Sequence, residues 1–151
     1  MRRATIVVIC CCLASLALAP GAPAAENAAP AKAEAPLAYV TVVGAPGDGE
    51  QALAAALTRR LAAAGLKPAT GFQANVYEIQ GSVRVAAASG GKESVRIVWV
   101  VLSPDGTQLG VVRQTNEVRK GSLDRKWGGA ADAAASDAAA QIVGLFPKDK
   151  E

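Results

Sequence analysis

Between Val76 and Ala88, large apolar side chains fall on alternate positions. Tyr77, Ile79, Val83 and Val85 alternate with Glu78, Gln80, Ser82 and Arg84. A period of two sends successive side chains to opposite faces, so this segment predicts a strand with one solvated face. Val95 to Leu102 differs. Once Arg96 is passed, Val95, Ile97, Trp99 and Val101 would make one apolar face, and Val98, Val100 and Leu102 the other. That pattern suits a strand flanked on both sides. Ser89-Gly-Gly-Lys92 separates the two runs. Ser103-Pro-Asp-Gly106 follows the second, with proline at the second turn position and Asp-Gly behind it. Leu109 to Val118 then returns as the third strand of a meander. A further β-rich run, Leu37 to Val43, comes before all of these and ends at Gly44-Ala-Pro-Gly-Asp-Gly49.

In two places the period changes to that of a helix. Leu53, Leu57 and Leu61 recur at steps of four, joined by Ala56 and Ala64, and predict a helix over 49–64 with Thr58, Arg59 and Arg60 near the solvent side. Asp48 is placed as its N-cap, and Gln51 three residues on completes a capping-box pattern. Gly65 ends the helix and Pro68 prevents continuation. A second helix is predicted from near Trp127 to about Phe146, where Pro147 stops it. Its stripe is Trp127, Ala131, Ala134, Ala138, Ile142 and Leu145, widened by Val143 and Phe146. The element order β-α-β-β-β-α predicts an α+β two-layer sandwich, a four-stranded mixed sheet with both helices packed on one face. The edge taken by the first strand is left open.

Before this domain the pattern is of another kind. Met1-Arg2-Arg3 is a basic start, Thr5 to Ala19 is an apolar stretch of fifteen residues, and Pro20 to Ala25 is a small-residue region. These are the three parts of a secretory signal peptide over 1–25, and the apolar stretch is shorter than the roughly 20 residues of a comfortable membrane span. Residues 26–36 contain Ala, Pro, Lys and Glu with no large apolar side chain, and read as a flexible linker. The domain is expected at 37–147, with a short tail at 148–151.

Composition narrows the chemistry. Aromatics make up 4% of the 151 residues, so the core should be Val, Leu and Ile around Phe72, Tyr77, Trp99, Trp127 and Phe146. The formal charge of +3 includes Arg2 and Arg3; without the leader, fourteen basic residues face thirteen acidic ones. A chain so balanced is not drawn to nucleic acid or anionic lipid by its overall field. No nucleic-acid partner is expected, and membrane association is expected only through an uncleaved leader or lipidation. All three cysteines, Cys10, Cys11 and Cys12, lie in the leader. They are either tolerated apolar residues or a lipid attachment point, although Val8-Ile9 is a poor match to the small residues such a site requires.

The chain has no histidine, and thus lacks the usual general base and the commonest metal ligand. A mature chain without cysteine has no thiolate chemistry either. Asp132 and Asp137 are five apart on a helix and do not share a face. The glycine-rich turn after the first strand carries no Gly-Lys-Ser/Thr, and Asp48 and Glu50 occupy the helix end a phosphate would need. No catalytic residue, metal or cofactor is expected.

Several segments also carry a family likeness. Val40-Thr-Val-Val-Gly-Ala-Pro-Gly-Asp-Gly-Glu-Gln-Ala-Leu, Tyr77-Glu-Ile-Gln-Gly, Val95-Arg-Ile-Val-Trp, Pro104-Asp-Gly-Thr-Gln-Leu-Gly and Gly121-Ser-Leu-Asp-Arg-Lys-Trp-Gly resemble uncharacterised exported proteins and predicted lipoproteins of alphaproteobacteria. The resemblance covers nearly all of 37–146 and implies an envelope location without an activity. The element order is more distantly similar to α/β domains of envelope accessory lipoproteins: auxiliary components of lipid-exporting transporters, lipopolysaccharide-assembly lipoproteins and activators of peptidoglycan synthases.

Two surfaces are candidates for function. If both helices cover one face, Val98, Val100 and Val112 are left on the other, and a contiguous exposed apolar surface marks an interaction site. Arg113, Arg119, Lys120, Arg125 and Lys126, beside Trp127, form a basic patch able to dock an anion. The expectation is a non-enzymatic periplasmic binding or adaptor protein, possessing an envelope protein or lipid-like partner. The alternative is a carrier or sensor of a small amphiphile, a lipid or glycan fragment. A pocket walled by Trp99, Tyr77 and the helices would favour the carrier, and an open apolar face the adaptor.

Overall fold

The computed structural model of the protein describes residues 34–147. The leader expected at 1–25, the cysteines Cys10 to Cys12, the linker as far as residue 33 and the tail at 148–151 lie outside the described residues. Glu34 to Pro36 have no regular structure. The elements run β1 (Leu37–Val43), α1 (Gly49–Ala63), β2 (Lys67–Pro68), β3 (Val76–Ala88), β4 (Lys92–Leu102), β5 (Gln108–Arg119) and α2 (Gly128–Val143).

The strands form one mixed sheet in the order β2-β1-β3-β4-β5. β1 is parallel to both of its neighbours, and β3-β4-β5 is an antiparallel meander. A parallel pair needs a long crossover, and α1 provides it between β1 and β3. The sheet has five strands where four were expected. The extra strand is the two-residue β2, held to β1 by Lys67 N donating to Pro36 O at 2.9 Å and Ala69 N to Ala38 O at 2.8 Å. Pro68 stops the helix and also sits on the outermost strand, where its missing N–H costs no ladder bond.

Alternation in the strands decides where the core lies. Ala38 and Val42, Ile79 and Val83, Val95, Ile97, Trp99 and Val101, and Val112 point to one side and are buried. Against them pack Leu53, Leu57 and Leu61 of α1 and Ala131, Ala134, Ala135, Ala138, Ala139 and Ile142 of α2. Both helices therefore lie on the same face, as the two apolar stripes predict. Each fully buried Leu or Ile contributes about 1.5–3 kcal/mol by leaving water. The alanine face of α2 keeps that helix close to the sheet, and the exposed Arg59–Asp132 ion pair, at 2.7 Å, links the two helices.

Trp99 is the centre of this core and is fully buried. It lies on its cross-strand partner Gly81, where an added Cβ would come within 2.5 Å of the indole Cζ3. Its Nε1 donates to Gln114 Oε1 at 3.1 Å, and Gln114 Nε2 donates to Ala134 O at 3.0 Å, so one polar chain ties β4, β5 and α2. Phe72 departs from expectation: it is 72% exposed, in the loop before β3, and is not a core anchor. Tyr77 is half-buried against Phe146, with ring centroids 4.7 Å apart. Phe146 does so from beyond α2, which ends at Val143 and starts at Gly128, one residue after Trp127.

The capping box is not formed. Asp48 makes no side-chain bond to its own helix. Instead Asp48 Oδ1 accepts from Trp127 N at 2.8 Å, Asp48 N donates to Arg125 O at 3.1 Å, and Trp127 Nε1 donates to Pro46 O at 2.9 Å. Trp127 is buried over Gly49, where a Cβ would collide with the indole. The glycine-rich turn thus receives the connector before α2, and the aspartate serves that contact.

Candidate functional site

Among the described residues no helix covers the other face of the sheet. Cross-strand registers place its residues in rows. The first row is Tyr39, Glu78 and Leu102; the second is Thr41, Gln80, Val100 and Val111. The third is Val43, Ser82, Val98 and Arg113; the fourth is Arg84, Arg96 and Thr115. Beyond them, Ser94 is opposite Glu117. The middle of the face is apolar and partly open: Val98, Val100, Val111 and Leu102 are half-buried, and Val43 is 60% exposed. Its upper part is basic.

Val98 and Val100 therefore lie on the uncovered face, so β4 is not flanked on both sides as its two apolar faces suggest: both helices pack over Ile97, Trp99 and Val101. Val112 does not lie on that face. It is opposite Trp99, points into the core and is 4% exposed; the outward valine of β5 is its neighbour Val111. The sequence pattern missed this because Val111-Val112 presents an apolar side chain to either face, and only the pairing decides between them. A bulge near Val101 and Leu102 further displaces the β5 register, leaving Leu109 without a partner.

The basic patch is dispersed. Arg113 lies on the uncovered face opposite Val98, while Arg119 is at the far end of β5, six residues or about 20 Å away along the strand. Lys120 follows in the turn, its N–H bonded to Gly91 O at 3.0 Å. Arg125 and Lys126 belong to the connector that docks on the Asp48 turn. All five are exposed, but Trp127 is buried and offers them no aromatic surface. What Arg113 does join is Arg84 and Arg96. These two are direct cross-strand partners, and Arg113 is one diagonal step from Arg96. Sequence reasoning missed this trio, although a signal existed: a hairpin closed by Ser89-Gly90-Gly91 brings together residues equidistant from the turn, and Arg84 and Arg96 are such a pair.

Beside Arg84 and Arg96 lies a recess of about 260 Å³ lined by these two with Ser82 and Val98, and Arg113 is outside its lining. Among the described residues none of the three arginines has a carboxylate partner, whereas Lys92 holds Glu117 at 3.1 Å and Arg59 holds Asp132. The turn at the opposite end of the face is tightly knit. Hydrogen bonds from the Ser103 hydroxyl and then from Thr107 hold the Asp105 carboxyl below its ordinary range.

Elsewhere, an open polar recess of about 470 Å³ runs between β5 and α2, lined by residues that include Gln114, Asn116, Ser136, Asp137 and Gln141. β5 is the free edge beside it, and Arg113, Glu117 and Arg119 along that edge guard it against unplanned strand pairing. Among the described residues no group of three acidic or other ligating side chains is arranged for a metal ion, and no helix is long and apolar enough to cross a membrane.

No family model matches the chain, and the curated proteins provide no significant match. Similar solved structures include a minor lipoprotein from Acinetobacter baumannii, with TM-score 0.46, 12% identity, 77% of this chain covered and 97% of that one. Lipoprotein GNA1162 from Neisseria meningitidis has TM-score 0.47, 11% identity and coverage of 73% and 99%. An uncharacterised protein has TM-score 0.45, 12% identity and coverage of 72% and 88%. At such identities and TM-scores, nothing about function passes from these proteins to this chain.

Proposed function

We propose that this chain is a non-enzymatic binding or adaptor domain of the bacterial cell envelope, and that its working surface is the sheet face opposite the helices. The observation that supports the reading is the burial contrast within β4. Trp99 and Val101 are completely buried, while the alternate Val98 and Val100 lie half-open on a face that no helix among the described residues covers. Apolar side chains on an uncovered sheet face are the usual mark of a contact surface. The envelope location rests on the basic, apolar and small-residue parts of 1–25, together with the resemblance to exported proteins. The absence of histidine, and the scatter of the carboxylates, support contact over catalysis.

An interior carrier site is less well supported. Trp99, the residue expected to wall such a pocket, fills the space above Gly81 with its own ring, and Tyr77 is occupied by Phe146. The test uses a tagged chain recovered from envelope extracts, as wild type and as the Val98→Asp/Val100→Asp double variant, with protein and lipid mass spectrometry of what co-purifies. The variant is expected to retain its circular dichroism and lose the wild-type partner. An unfolded variant would show the face to be core, and an unchanged set of partners would remove it as the working surface. Turnover of a substrate by the purified chain would overturn the non-enzymatic assignment.

A further inference from the structure

We infer that Arg84, Arg96 and Arg113, with the Ser82 hydroxyl, form a site for the phosphate of an anionic phospholipid head group presented at a membrane surface. This rests on the reading of the uncovered face as the binding surface and names what that face takes.

Arg84 and Arg96 are direct cross-strand partners, an arrangement that brings Cβ atoms to about 5 Å and sets like charges against each other. Arg113 adds a third positive charge one diagonal step away. All three are exposed and have no ion pair among the described residues, although the fold pairs Arg59 and Lys92 elsewhere. The acidic residues of this face are Glu78, opposite Leu102 at the far end, and Glu117, which is held by Lys92. The local field is thus positive although the chain as a whole is nearly balanced. Here the inference departs from the expectation that a membrane is met only through an uncleaved leader or lipidation, which took the charge of the chain as a whole.

The recess at Arg84 and Arg96 has room for a tetrahedral oxyanion, since 260 Å³ compares with the roughly 10–15 Å³ that holds one water. A guanidinium fork matches two oxygens of a phosphate, and two such groups lining one recess, with Arg113 a diagonal step away, suit a group with several charged oxygens better than one carboxylate. Binding there would also relieve the repulsion between Arg84 and Arg96. The apolar neighbourhood decides between a free phosphate and a lipid. Val98 lines the recess, and Val100, Val111 and Leu102 continue from it along β4 and β5 as a half-open apolar strip. An inorganic ion makes no use of that strip, whereas an amphiphile places charge and hydrocarbon side by side in this manner.

The experiment is flotation of the full chain on vesicles of phosphatidylcholine alone and of phosphatidylcholine with phosphatidylglycerol. Any anchoring by residues 1–33 is common to every arm, so the reading is the increment produced by phosphatidylglycerol. A basic residue near an anionic surface contributes about fivefold in partitioning, so Arg84→Gln/Arg96→Gln should lower the increment about 25-fold. Arg59→Gln, on α1, should leave it unchanged. The increment should shrink as ionic strength rises from about 0.01 to 0.15 M and the Debye length falls from about 30 to 8 Å. No increment in the wild type, or an equal one in the arginine double variant, overturns the inference. Titration of inorganic phosphate, followed by arginine side-chain NMR, separates the sources: saturation by phosphate without a vesicle increment makes this a soluble-anion site and overturns the lipid assignment. If Val98→Asp/Val100→Asp abolishes the increment while the arginine variant retains it, the face binds without this site, and the broader reading survives. If neither variant changes it, both fail.

Discussion

The two faces of one strand, β4, have the same kind of side chain and different consequences. Val95, Ile97, Trp99 and Val101 face the helices and are at most 2% exposed, while Val98, Val100 and Leu102, equally apolar, are only half-buried. Composition does not distinguish the faces; the company each one keeps does. Three leucines of α1 and the alanine stripe of α2 exclude water from the first set, so those residues contribute to stability. Among the described residues the second set has neighbours only within the sheet, which leaves its apolar surface open to a further contact.

The largest effect expected from this difference is at Trp99. Trp99→Ala removes the ring above Gly81 and leaves Gln114 Oε1 without its donor, and should cost about 3–5 kcal/mol, read from urea unfolding followed by circular dichroism. A loss below about 1 kcal/mol would mean that the helix-covered face is not the centre of the core. The sharper comparison is between adjacent residues. Val101→Ala should cost about 2 kcal/mol and Val100→Ala about 0.5 kcal/mol or less, with unfolding midpoints measured side by side. Equal losses would erase the distinction between the faces. Asp48→Ala removes a carboxylate that accepts from the buried Trp127 N–H and should cost about 1–2 kcal/mol, with the midpoint lowered while native circular dichroism is kept.

The smallest effect is one of pH. The folded Asp105 carboxyl lies below its ordinary value of 3.8 because the Ser103 hydroxyl and then Thr107 donate to it. A depressed folded value stabilises above the unfolded one, and that contribution is lost as pH falls through the folded value. Wild type should therefore unfold slightly later than Asp105→Asn at neutral pH in thermal scans, and the two should converge in acid below 3.8. A difference that persists in acid would assign the effect to something other than the carboxylate.

Much of this arrangement was legible before any coordinates. β3 follows from alternation and α1 from leucines spaced by four, because burial on one side imposes those periods directly, while β1 and β4 follow from β-rich apolar runs that end at turn signals. Where pairing decides, the pattern fails. Val111 and Val112 are chemically alike, the pleat sends them to opposite faces, and only the register against Val100 and Trp99 says which one enters the core. β2 is two residues long and held by backbone bonds alone, so no side-chain pattern announces it. Asp48 has the local signature of a cap, and a partner 79 positions away claims its carboxylate. The arginine trio draws on two strands besides β4 and becomes visible only when the Ser89-Gly90-Gly91 turn is used as a fold line. Phe72 was misplaced because hydrophobicity alone does not say whether a loop side chain finds a neighbour.

The lock between the Asp48 turn and Trp127 also bears on the order in which the molecule assembles. Its bonds join positions 79 and 81 residues apart, and such closures come late because a long loop must be ordered first. A chain made or threaded from its amino end holds β1 and α1 without their clasp until position 127 arrives. Through that interval the leucine stripe of α1 lacks its alanine cover, leaving a window in which chaperones or proteases meet the nascent chain.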